Sequence, residues 1–302
     1  MPLVTPACLL VGVLLPEAAS KGLLLVPWVF AFMTFSGGLK SSFRDIKDVF
    51  RRPLPLLAAM AALHIAVPLL SAGVGHLLFP GNPSLITGLV LEFTVPSAVV
   101  SVMWTTMYGG NIPLALSTLV IDTLITPFTL PVTLKLLAGS GGQVDAAEMI
   151  RQLIFMVALP ALAAMLLNLF TGGRSQRTLP RRLAPFSKMA MIFVVTCNSS
   201  KVAPYVRHMT WQLLGVTAAV FCVAAAGYGI GWLLGRLLRQ PDDIIVTLTF
   251  SSGMRNISAG AVLAAACFPA EVMFPVMIGT LFQQVLAACY GALLRRFQLR
   301  ER

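Results

Sequence analysis

The sequence predicts an all-α polytopic membrane protein of ten transmembrane helices in two inverted five-helix repeats, with the fourth and ninth helices discontinuous. Three observations lead there. Of 302 residues 57% are apolar and only 11% charged, against roughly a quarter charged in an average soluble domain, so a soluble globular domain is excluded. The apolar residues fall into ten runs, and a hydrocarbon core needs about 20 such residues per helix. Short motifs also recur at one nearly constant spacing.

Taken in order, the spans are expected near residues 2–18, 22–39, 54–79, 84–108, 112–137, 150–170, 185–206, 210–235, 243–266 and 271–294. Barrel strands would alternate apolar and polar and be about half as long, so these runs read as helices. No Lys or Arg precedes the first run, and it ends at Pro16-Glu17 without a small-residue cleavage pattern. It therefore reads as a short first span and not as a cleaved leader. After the second span, SSFRDIKDVFRR sets Phe43, Ile46, Val49 and Phe50 on one helical face and charges on the other. That pattern suits a connector lying on the inner lipid surface.

The formal net charge of +11 would suggest nucleic acid in a soluble protein. In a membrane chain it reports orientation, because Lys and Arg concentrate on the cytoplasmic side. With a cytoplasmic N-terminus, 16 of the 22 basic residues fall inside, clustered at 40–52, 174–188, 236–239 and 295–302. Five, Lys21, Lys135, Arg151, Lys201 and Arg207, fall at outer ends, and Arg255 lies deep in a span. Both termini are thus expected in the cytoplasm of a bacterial cell, with no nucleic-acid partner. Cys8, Cys197, Cys222, Cys267 and Cys289 all sit in apolar stretches without CxxC or Cys/His spacing. They read as small buried side chains, and no disulfide framework, metal site or cofactor is expected.

GVGHLL at Gly73–Leu78 recurs as GIGWLL at Gly229–Leu234, an offset of 156. IDTL at Ile121–Leu124 recurs as IGTL at Ile278–Leu281, and FTVPS at Phe93 recurs loosely as FSSGM at Phe250, both at an offset of 157. Agreement in offset points to two halves of five spans. Five is odd, so the second half enters the membrane upside down, an arrangement that secondary transporters use with their site at the midplane.

Corresponding spans of the halves carry a polar interruption: Thr94-Val95-Pro96-Ser97 in the fourth, and Ser251-Ser252-Gly253-Met254-Arg255-Asn256 in the ninth. A broken helix frees backbone groups that lipid cannot satisfy, so such breaks face protein, water, ion or substrate. At about 1.5 Å per residue, Glu92, Asp122 and Arg255 lie roughly 12 to 18 Å from a span end, near the midplane. Deep charges are functional candidates by default; the alternative is a structural ion pair between Arg255 and Glu92 or Asp122. The expected substrate-binding set is Arg255, Asn256, Ser251, Ser252, Thr94 and Ser97, with Arg255 meeting an anion. Glu92, Asp122 and His64 are the candidate proton carriers. Asn198-Ser199-Ser200 is an N-x-S sequon that reads equally as a polar cavity lining.

GGLKSSFRDIKDVFRRP after the second span, GNIPLALSTLVIDTLITPFTLP along the fifth and GMRNISAGAVLAAACF in the ninth resemble the bile acid:sodium symporter family over essentially the whole chain. The resemblance implies a panel domain from spans 1, 2, 6 and 7 (1–53 and 139–206), a core domain from spans 3 to 5 and 8 to 10 (54–138 and 207–302), and alternating access at two crossing helices. Its usual sodium ligands do not carry over. The Ser-Asn of relatives corresponds to Ser101-Val102, the following hydroxyls to Ala115 and Leu119, the Glu and Gln of the second crossing to Ser251 and Arg255, and a third-span glutamine to Leu63 or His64. At the second crossing Asn256 is the shared residue, and a permanent cation at position 255 repels sodium, so no ligand set transfers.

The expected function is a monomeric secondary transporter of a small organic anion, coupled to protons or uncoupled, with a sodium symporter using relocated ligands as the alternative. An intramembrane hydrolase would need paired aspartates or a Ser with an identifiable base; Asp122 is the only deep aspartate, and Ser251 and Ser252 have no such partner in the sequence. A non-transporting sensor is distinguished by whether reconstituted protein moves solute.

Overall fold

The computed structural model describes residues 4–41, 53–139, 145–208 and 210–300, which are helical almost throughout, with no β-strand among them. The amphipathic connector lies outside these residues except for Ser41. In chain order, α1 (Val4–Leu14) and α2 (Pro16–Ser20) lead through a 3-10 turn to α3 (Val26–Gly38). A π turn at Ala62–Ala66 joins α4 (Pro53–Ala61) to α5 (Val67–Leu78). Then come α6 (Pro83–Thr94), α7 (Val100–Met107) and α8 (Ile112–Leu137); α9 (Ala146–Leu153) continues through a second π turn, Ile154–Ala158, into α10 (Leu159–Phe170). The rest is α11 (Arg174–Arg207), α12 (Trp211–Leu237), α13 (Asp242–Gly253), α14 (Ile257–Cys267) and α15 (Ala270–Arg300).

Six helical segments among the described residues are long and apolar enough to cross a bilayer: Pro16–Gly38, Pro53–Leu78, Ile112–Leu137, Ala146–Phe170, Trp211–Leu237 and Ala270–Arg296. The remaining apolar runs resolve into shorter or more charged pieces. The first is cut at Leu15, whose φ of −119° and ψ of 56° leave the helical region just before Pro16. The runs at 84–108 and 243–266 each divide into two half-helices. The seventh starts eleven residues before its expected position, because the chain turns at Gly173 (φ 83°) and the basic stretch Arg174–Arg182 is already helical.

Both π turns end two residues before a proline, Pro68 or Pro160. A proline ring crowds the carbonyl four residues back, here His64 or Met156, and offers it no N–H, so the helix widens upstream. Position 64 is thereby lifted out of regular α-helical register.

Helices α12 and α13 pack so closely that a Cβ at Gly231 would strike the Leu248 carbonyl, and one at Gly253 would strike the Tyr228 ring. Helix α15 packs on α6, α13 on α12, and α11 on both α1 and α3. Fully buried Tyr228 donates its hydroxyl to the Gln283 carbonyl (2.9 Å), tying α12 to α15.

Candidate functional site

The two interrupted helices have different local causes. Helix α6 opens on Asn82, whose side chain accepts the Leu85 N–H, with Pro83 in its first turn. It ends because Pro96 forces the residue before it out of the helical region: Val95 has ψ 156°. Helix α13 ends without a proline. Met254 turns extended (φ −106°, ψ 122°), and Asn256 then caps α14 by accepting the Ala259 N–H.

The extended pieces meet. Ser97 and Arg255 form an antiparallel bridge, the Ala98 N–H donates to the Met254 carbonyl (3.2 Å), and the Asn256 N–H donates to the Pro96 carbonyl (2.7 Å). Groups freed by breaking one helix are thus answered by the other, which is how a break survives away from water. Two further donors are taken by side chains of the helices that follow: Asp122 Oδ2 accepts the Ser97 N–H (2.5 Å), and Gln283 Oε1 accepts the Arg255 N–H (2.8 Å).

A cavity of about 410 Å³ opens beside this crossing. Ser97, Arg255 and Asn256 line it, as do Thr280, Gln283 and Gln284 of α15, and it extends past Phe30 and Ser36 to exposed Lys40 and Lys188. Val99 and Val100 at the start of α7, and Ile257 and Ser258 at the start of α14, also line it. Two helix N-termini therefore converge on one space, each presenting N–H groups and the positive end of its dipole. Thr94, Ser251 and Ser252 do not line it. All three are buried, and the Thr94 hydroxyl donates to the Val90 carbonyl of its own helix (2.6 Å).

The deep charges form a cluster around the crossing. Arg255 is 2% exposed, and one Nη approaches the Leu63 carbonyl at 3.5 Å, the long limit of a hydrogen bond. Among the described residues neither Glu92 nor Asp122 lies within 4.0 Å of the guanidinium, so the direct structural ion pair does not form, although both carboxylates are near enough to act on it. Asp122 is 1% exposed: its Oδ1 lies 3.1 Å from His64 Nε2 and accepts the Thr126 hydroxyl at 3.1 Å. Glu92 is 2% exposed and presses its Oε1 against Gly279, where a Cβ would collide with it, while its Oε2 has no hydrogen-bond partner among the described residues.

Sequence reasoning placed Glu92, Asp122, Arg255 and the crossing peptides together. It missed Thr280, Gln283 and Gln284, although a Gln pair inside an apolar span was a visible signal, and it missed Lys40 and Lys188 as cavity residues. Asn198 proves to be 1% exposed within α11 and does not line the cavity.

The model of the sodium bile acid symporter family matches residues 27–209, more than half of the chain. The chain belongs to that family. A relative from Bacillus subtilis, described as uncharacterised protein YbaS, is 42% identical over 300 residues, covering 99% of this chain and 98% of its own. Another from the same organism, described as an uncharacterised sodium-dependent transporter, YocS, is 23% identical over 252 residues, 81% of this chain and 77% of its own. The rice chloroplast protein described as probable sodium/metabolite cotransporter BASS3 is 26% identical over 268 residues, 85% of this chain and 62% of its own. Membership of the sodium bile acid symporter family makes the protein a membrane transporter and not an enzyme.

Proposed function

We propose that this protein is a secondary transporter of a small organic anion, working as a monomer in the bacterial cytoplasmic membrane by alternating access and without the sodium sites usual in its family. The observation that carries the reading is the convergence of the α7 and α14 N-termini, with Arg255, Ser97 and Asn256, on one cavity. Backbone N–H groups, helix dipoles and a guanidinium all favour negative charge there. A volume of about 410 Å³ suits a small metabolite.

The offset of 157 that relates the halves pairs Thr126 with Gln283 and Asp122 with Gly279. Asp122 and Gln283, one from each half, accept a crossing N–H, which supports two inverted five-span repeats around the site. Residues of α3, α10 and α11 and residues of α7, α8, α14 and α15 line the same cavity, which supports a reading in which panel and core meet there.

A sodium ion fits this site poorly. The Arg255 charge repels it, and Asp122 is already engaged by three groups. One observation favours sodium with relocated ligands: the buried hydroxyls of Ser101 and Thr105 on α7, Thr118 on α8, and Ser251 and Ser252 on α13 have no hydrogen-bond partner among the described residues.

The test is a thermal-stability screen of purified protein against monocarboxylates, dicarboxylates, sulfonates and bile salts, with organic cations of matching size. An anion near 100 times its Kd stabilises by about 2.7 kcal/mol. Arg255→Lys should weaken the response by losing the bidentate fork, and Arg255→Gln should weaken it further. Cation-selective stabilisation, or unchanged anion affinity in Arg255→Gln with only a lower melting temperature, refutes the reading. Sodium-driven accumulation that is indifferent to pH would move the assignment to the buried hydroxyls.

A further inference from the structure

We infer that His64 and Asp122 form a proton-binding site that couples proton uptake to anion binding at the crossing. The inference rests on the transporter reading above and adds the identity of the coupling ion and its seat. Asp122 touches a titratable ring on one side, with His64 Nε2 3.1 Å from Oδ1, and the crossing peptide on the other, with the Ser97 N–H 2.5 Å from Oδ2. Ser97 is in turn bridged to Arg255. Three covalently distant groups, a proton acceptor, a carboxylate and the proposed anion site, are thus in direct sequence of contact.

The π turn contributes to the coupling. It presents two consecutive residues to the two charges: the Leu63 carbonyl to Arg255 and the His64 ring to Asp122. The second ring nitrogen, Nδ1, lies 3.2 Å from the Thr129 hydroxyl, which can donate or accept and so serves the ring in either protonation state. His64 is 13% exposed while Asp122 is 1% exposed, so the ring is the more accessible member for proton exchange.

Lys135 is exposed in the last turn of α8, about 20 Å along the helix from Asp122, and Tyr228 of α12, the helix packed on the π turn, donates its hydroxyl to the Gln283 carbonyl. Arg255 faces Asp122 from the second crossing segment, and Glu92 on α6 acts on Arg255 from its place against Gly279. On α9, Glu148 pairs with Arg151 at 2.5 Å; Asp243 at the start of α13 accepts from Asn111 at 2.9 Å; His76 on α5 meets the Leu137 carbonyl at 2.7 Å at the other end of α8. His64 is the remaining group that can add a positive charge beside Asp122.

Without substrate, Arg255 and Asp122 offset one another. An anion bound at the crossing draws on the same guanidinium and leaves one negative charge in excess, which in a buried site is strongly unfavourable. A proton on His64 restores the balance, so anion and proton raise each other's affinity, as linkage requires. The contribution of Glu92 is common to both states. One proton accompanies each monoanion, and that transport is electroneutral.

The experiment needs no substrate. In full-length protein labelled at histidine, with His76→Gln and His208→Gln so that only His64 reports, ring resonances are followed from about pH 5 to 8 in nanodiscs. In parallel, spin labels at exposed Met103 on α7 and Met189 on α11, with native cysteines replaced by Ser, measure the distance across the cavity mouth. The distance distribution should change over this range in step with the ring resonances. Both His64→Gln and Asp122→Asn should abolish the pH response of the mouth. A mouth whose pH response survives both variants overturns the inference. If Asp122→Asn does not fold, coincidence of the two midpoints in otherwise unmodified protein decides. Failure of the transporter reading is a separate result: no carboxylate of the panel moves in proteoliposomes at any pH, while His64 still titrates and still moves the mouth.

Discussion

At the scale of single residues, the site depends on which side chain fills each position around the crossing. Asp122 and Gly279 occupy equivalent places in the motifs IDTL and IGTL. In one half the carboxylate grows from the helix itself; in the other, glycine leaves the space and Glu92 fills it from α6. Gly279→Ala should therefore displace Glu92 or overpack the interface, lowering stability by about 1–3 kcal/mol in thermal melts. Asp122→Ala should also destabilise, by roughly 1–3 kcal/mol, because the buried Ser97 N–H loses its acceptor. Asp122→Asn keeps an acceptor there and should melt closer to the wild-type temperature. The depth of Glu92, Asp122 and Arg255 was legible from their distance to span ends. Their partners were not, because hydropathy gives depth along a helix and leaves the azimuth open in a run that is apolar all round. For that reason Gln283 was overlooked while Ser251 and Ser252, which do not line the cavity, were placed in the binding set.

At the scale of elements, the two breaks teach different lessons about legibility. Pro96 announces the first, since proline restricts the residue before it. The second carries no proline and was located through its correspondence with the first. Its restart depends on Asn256, whose side chain caps α14. Asn256→Ala should cost about 1 kcal/mol of stability, and it removes a polar group from the cavity wall, so anion-induced stabilisation should fall as well. Asn256→Asp, a comparable cap, should recover the melting temperature but not the anion response, because it adds negative charge. The opposite end of α14 is held differently. Lys201 on α11 donates to the Ala265 carbonyl (2.9 Å), placing a cation at a helix C-terminus. In the alternating-access reading this contact closes the far side of the cavity. Lys201→Ala should remove about 0.3–1 kcal/mol from the closed arrangement and raise the population open on that side about two- to fivefold, read by spin-label distances between α11 and α14.

At the scale of the whole molecule, composition alone separated a membrane protein from a soluble one, and the repeat offset indicated where to look for the site. The halving of the fourth and ninth runs was legible from their polar interruptions; the cut that ends α1 at Leu15 was not, because hydropathy does not register that backbone geometry. The cavity runs to Lys40 and Lys188, both in the basic clusters assigned to the cytoplasm, whereas Lys201 and Arg207 lie at the end assigned outside. If the bias of 16 basic residues to five sets the topology, this conformation is open to the cytoplasm. Cysteine labelling at the start of α11 tests it, and the structure decides which residue to use. Ser175 is 4% exposed, with its hydroxyl bonded to Asn168 Oδ1 at 2.6 Å, so a thiol there would be shielded in either topology. Thr178, one turn on, is exposed. Thr178→Cys should react with a membrane-impermeant maleimide only in inside-out vesicles or permeabilised cells. Reaction in intact cells would invert the chain, move Lys40 and Lys188 to the external mouth of the cavity, and turn the same conformation into one poised to take its anion from outside.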